Sequence, residues 1–138
     1  MIRQILAVQF QYTHLVLVRN LTQVSESEAL LRPVEGGSSL NWVLGHILAT
    51  RSSIIELLGG EAIWSASERK QYDQGSQPAG DPQEAIALER MLADLEESQG
   101  LILKGLASLP ADDFTRPAPF SPLERDDETV GSPPGCPD

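Results

Sequence analysis

The chain has 138 residues, 41% of them hydrophobic, which suits one domain with a real core and excludes a wholly disordered polymer. Ten Lys and Arg against 20 Asp and Glu give a formal net charge of −10, which argues against phosphate-mediated nucleic-acid binding and against docking on anionic lipid. No apolar run reaches about 18 residues and no signal-peptide pattern opens the chain, so a cytoplasmic protein without a membrane partner is expected. Cys136 is the single cysteine, which excludes an internal disulfide and a cysteine zinc site.

Residues 2–22 are rich in apolar side chains and hold neither Gly nor Pro. Val8, Phe10 and Tyr12 alternate with polar residues as a strand would. The stretch is too long for an ordinary strand, however, and Ile2, Ile5, Leu6 and Gln9 keep helical spacing. A helix is predicted, ended by Ser25-Glu26-Ser27-Glu28, which opens a short turn. Arg32-Pro33 and Gly36-Gly37 are breakers. A second helix starts after Ser38-Ser39, which are good N-caps, and stops at Gly59-Gly60. Leu40, Val43, Leu44, Ile47, Leu48, Ile54, Ile55 and Leu58 form its predicted buried face. His46 lies off that stripe, on a flank shared with Trp42, Thr50 and Ser53.

Residues 60–80 read as a long connection, a length often associated with function. Asp81-Pro82-Gln83-Glu84 carries an N-cap, a first-turn proline and a capping-box glutamate, so a third helix is predicted to open there. Ala85, Leu88, Leu92, Leu95, Gln99, Ile102 and Leu106 supply its packing seam, Glu89, Asp94, Glu96 and Glu97 mostly a solvated face, and Pro110 the stop. The core is therefore placed at residues 1–109. Residues 110–138, with seven of the ten prolines and an acidic cluster at Glu124–Glu128, form a mostly irregular tail.

Ser39-Leu40-Asn41-Trp42-Val43-Leu44-Gly45-His46 resembles the polar-Asn-Trp-x-x-Gly-His stretch that opens the second helix of the DinB-like family. Tyr72-Asp73-Gln74-Gly75-Ser76-Gln77-Pro78 resembles that family's Tyr-x-x-Gly-Ser-x-Pro link, and Glu128-Thr129-Val130-Gly131 the entry to its fourth helix. The resemblance implies an all-α up-down helical bundle with a long crossover between helices two and three. It also implies a divalent metal, Zn or Ni, held by three histidines. One of these matches His46; the other two belong to a His-x-x-x-His pair on the fourth helix, and the only other histidine here is His14. Family members include thiol-dependent transferases that use bacillithiol or mycothiol, and many are linked to stress responses.

After Gly131 the sequence reads Ser-Pro-Pro-Gly-Cys-Pro-Asp, which predicts that the fourth helix is missing through truncation or a frameshift. Two functions follow. One is a metal-dependent, thiol-dependent transferase or hydrolase acting on a small molecule, with His46 as metal ligand and an impaired site. The other is a non-catalytic dimeric helical interaction protein, or a degenerate remnant of the family. Glu56, Asp73 and Asp81 are the carboxylates that by region would replace missing histidines, and His14 would join only if its helix faces the same groove. Trp42 is expected to cover the core. Tyr72 either anchors a turn or projects toward the groove. A bundle short of one helix leaves apolar seams uncovered, so a homodimer is expected, and it offers one route to bringing two copies of His46 together.

Overall fold

The computed structural model describes residues 2–115; Met1 and residues 116–138 lie outside the described residues, and with them the expectations for the fourth helix, the distal tail and Cys136. The elements are α1 (Ile2–Leu21), α2 (Glu26–Ala29), α3 (Leu40–Leu57), α4 (Ala66–Gln71) and α5 (Leu88–Ser108), followed by a 3-10 turn at Ala111–Thr115. No strand occurs among the described residues, so the period-2 alternation in α1 is overridden by its length and by packing on α5.

α5 is the helix on which α3 and α1 both pack. Pairing along α3 and α5 rises together: Asn41 reaches Ile86 and Met91, Arg51 reaches Leu95 and Ser98, and Leu58 faces Gly105. These helices are therefore parallel, and the 58–87 segment must recross the bundle as the long crossover predicts. α1 runs the other way, with Arg3 at Ala107 and Leu109 and His14 at Glu96. Arg3 donates to two carbonyls at the C-terminal end of α5, where a cation also meets the negative end of the helix dipole.

Two apolar clusters hold the layers. Leu21, Ala29, Leu44, Leu48, Trp64, Tyr72, Leu88, Met91 and Leu95 fill one end, and Ile55, Ile102, Leu106, Leu109 and Phe114 fill the other. Phe114 carries the core into the 3-10 turn, past Pro110. Between the clusters lies a polar layer. Arg51, 4% exposed, donates to the Leu95 carbonyl and to Ser98 Oγ, and His14 Nε2 lies 3.1 Å from Glu96.

Four local expectations are corrected. Ser25 does not merely follow α1: it caps α2 in a full capping box with Glu28, after the chain turns at Gln23 (φ 68°). Residues 66–71 within the long connection are helical, capped by the same Ser-x-x-Glu pattern at Ser65 and Glu68. Asp81 caps only an isolated turn, accepting from the Gln83 N–H, and α5 begins seven residues later. On α3 the buried stripe takes in Asn41, Arg51 and Ser52, while Val43 is 42% exposed. Polar side chains win those positions because their partners on α5 and the crossover satisfy them, which removes the cost of burial. Ser39 and Gly59 do bound α3 as expected.

The N-terminus of α5 has no side-chain cap of its own; the Glu26 carboxylate of α2 accepts from the Leu88 N–H at 2.7 Å. Glu26→Ala is expected to lower the unfolding free energy by about 1 kcal/mol in urea denaturation. Asp81→Ala is expected to change it by less than about half of that, because its turn is exposed.

Candidate functional site

The four residues of the Asn-Trp-x-x-Gly-His stretch all engage one segment, Tyr72–Ser76. Their spacing explains this: residues 41, 42, 45 and 46 of a helix share neighbouring faces within about one turn. Gly45 is buried against the Tyr72 ring, so closely that a β-carbon there would overlap it. Asn41, fully buried, accepts from the Tyr72 hydroxyl (3.0 Å) and donates to the Ile86 carbonyl (2.9 Å). The Ile86 N–H donates in turn to the Tyr72 oxygen at 2.9 Å. Both backbone groups of Ile86 are thus satisfied by side chains, just ahead of α5. Trp42 donates from Nε1 to Ser76 Oγ (2.9 Å) and stacks on the His46 ring, centroids 5.0 Å apart and planes 5° from parallel.

His46 Nδ1 lies 2.9 Å from the Tyr72 carbonyl oxygen. A carbonyl only accepts, so Nδ1 carries the proton, and in the neutral imidazole Nε2 carries the lone pair. This is the arrangement by which histidines are fixed as metal ligands. His46 lines a cleft of about 300 Å³ between α3 and α4, together with Thr50, Ser53, Arg69, Lys70 and Asp73. Arg69 is paired with Glu56 at 2.9 Å, and Glu56 is not among the lining residues.

The structure thus brings His46 and Asp73 to one cleft and leaves the other candidates elsewhere. His14 sits between α1 and α5, with Nε2 on Glu96 and a buried Nδ1 without a partner. Asp81 belongs to its isolated turn. Trp42 covers the His46 ring, and Tyr72 is the anchor of the crossover, 1% exposed. Lys70 and Arg69 were missed by sequence reasoning because their helix was; the Ser65-x-x-Glu68 box was the available signal. Among the described residues no three of His, Cys, Asp and Glu converge as a metal site would require.

Burial pushes the Tyr72 hydroxyl above the usual tyrosine range. A group whose value is raised on folding stabilises the fold at pH below its unfolded value and loses that contribution as pH rises. Stability should therefore fall as pH climbs through about 10 and beyond, and Tyr72→Phe should flatten that fall in pH-dependent denaturation. At neutral pH the same variant strands the Asn41 oxygen and the Ile86 N–H, at a cost of about 1–3 kcal/mol. Gly45→Ala is expected to cost at least about 1–3 kcal/mol, because the Tyr72 ring must leave its seat.

No curated protein matches this chain. The sequence profile of the DinB superfamily matches residues 9–132, nearly the whole chain. That span takes in both the stretch on α3 and the segment it clamps, and we conclude that the chain belongs to the DinB superfamily.

Proposed function

We propose that the His46 cleft is the active centre of a metal-dependent, thiol-dependent transferase or hydrolase of DinB type that acts on a small molecule in the cytoplasm, and that His46 is its inherited metal ligand. The observation that carries this reading is the hydrogen bond from His46 Nδ1 to the Tyr72 carbonyl, which leaves Nε2 as a fixed lone pair beside a cleft. A bound divalent ion, Zn or Ni, would supply Lewis acidity at that nitrogen.

The described residues fit such an ion only in part. Asp73 is the other lining residue able to ligate, and two protein ligands fall short of the three or four that hold a first-row metal tightly. What this chain's own groups supply is a stacked, oriented imidazole in a polar cleft whose cations, Lys70 and Arg69, are balanced by Asp73 and by Glu56, a setting that suits a polar small molecule.

The shortfall favours a second reading, a non-catalytic helical interaction protein or degenerate remnant of the family. The two separate on metal content. Purified full-length chain is to be loaded with Zn or Ni, dialysed and assayed for bound metal, beside His46→Ala. Stoichiometric metal that is lost in His46→Ala supports the enzyme reading. Metal that is absent, or retained without His46, contradicts it and leaves the interaction protein.

A further inference from the structure

α1 is apolar on two opposite faces. One face, with Leu6, Phe10, Leu17 and Leu21, packs into the two core clusters. The other carries Ile5, Val8, Tyr12 and Leu15 at alternating spacings of three and four, the pattern of a helix–helix seam, flanked by Ile2 and Val16. Among the described residues nothing covers these side chains: Val8 is 62% and Tyr12 69% exposed, and the other four lie between 41% and 49%. A helix apolar on both sides belongs inside an assembly, between two packed layers.

Charge selects the occupant. All 20 Asp and Glu of the chain lie at or beyond Glu26, so α1 carries no acid at all. Its charged residues are Arg3, engaged with the end of α5, and Arg19 near its C-terminal end. Two copies of a chain with net charge −10 repel each other over most of their surfaces; α1 is where that repulsion is weakest and apolar area is greatest. The six side chains expose on the order of 500 Å², at the top of the range for a monomer's largest patch and more than half of the roughly 800 Å² that each partner of a standard interface buries.

We propose that α1 is the interface of a homodimer, in which the seams of two copies pack antiparallel about a two-fold axis. In that register Ile5 of one copy meets Leu15 of the other, and Val8 meets Tyr12, so the seam is complementary to itself. The antiparallel sense also holds the two Arg19 side chains at opposite ends, where a parallel pairing would place them together. No α1 residue lines the His46 cleft, so the dimer leaves each cleft to its own copy.

The test is the mass of the full chain in solution by sedimentation, for the native sequence and for Val8→Glu with Tyr12→Glu. Both positions are exposed in the single copy, so helical content by circular dichroism should be kept. A native dimer whose dissociation constant rises by about a hundredfold or more in the double variant, through buried like charge, supports the proposal. A native monomer at micromolar concentration, or a dimer that the two glutamates leave intact, overturns it. Should the double variant lose helix, Val8→Cys and Tyr12→Cys chains, each also carrying Cys136→Ser, are mixed under oxidation. A mixed disulfide between positions 8 and 12 supports the antiparallel register; its absence from an otherwise folded mixture overturns it.

Discussion

The seat of Tyr72 on Gly45 governs the arrangement of everything around the cleft. The ring fills the space that a β-carbon would occupy, the hydroxyl closes a buried three-way network with Asn41 and Ile86, and the carbonyl holds His46. One residue of the crossover therefore links α3 to the start of α5 and sets the orientation of the imidazole. Asn41 is buried and Ile86 and His46 are partly so, and a hydrogen bond lost at Asn41 leaves a group that water cannot reach, which costs more than a hydrogen bond at the surface gains. Trp64, its ring 5.5 Å from that of Tyr72 and tied to Asp94 through its indole N–H, packs against the same residue.

The Asn-Trp-x-x-Gly-His stretch thereby has two roles that the sequence alone does not separate. Asn41, Trp42 and Gly45 fasten the crossover, a structural task. His46 shares in the fastening through Nδ1 and is also among the residues that line the cleft. The first three residues stabilise the fold whether or not an ion is bound. The stretch therefore serves the fold independently of any metal.

Much of the fold was legible because long helices announce themselves by periodicity and caps. α3 runs between Ser39 and Gly59 as those residues dictate, and α5 keeps the seam of Leu88, Leu95, Gln99, Ile102 and Leu106. What escaped was decided by partners distant in sequence. Asp81 has the better local capping signature, yet α5 starts at Leu88, where Glu26 reaches across from α2 and Ile86 is held by Tyr72 and Asn41. The four- and six-residue helices α2 and α4 are too short to show a period, and only their Ser-x-x-Glu boxes mark them. At the site, His46 and its flank were readable from the helix. That Asp73, Lys70 and Arg69 share its cleft was not, since a crossover's path is set by tertiary contacts. The two-faced character of α1 was visible only as an ambiguous period, because apolar residues on opposite sides of a helix blur both templates.

The Tyr72 clamp fixes the tautomer of His46. Nitrogen-15 NMR of the histidine side chains, recorded above the imidazole titration range, tests it directly. A proton on Nδ1 and an unprotonated Nε2 are expected for His46 in the native chain, with that preference weakened in Gly45→Ala, where Tyr72 is unseated. A neutral His46 protonated on Nε2, or one that exchanges freely between tautomers in the native chain, would contradict it.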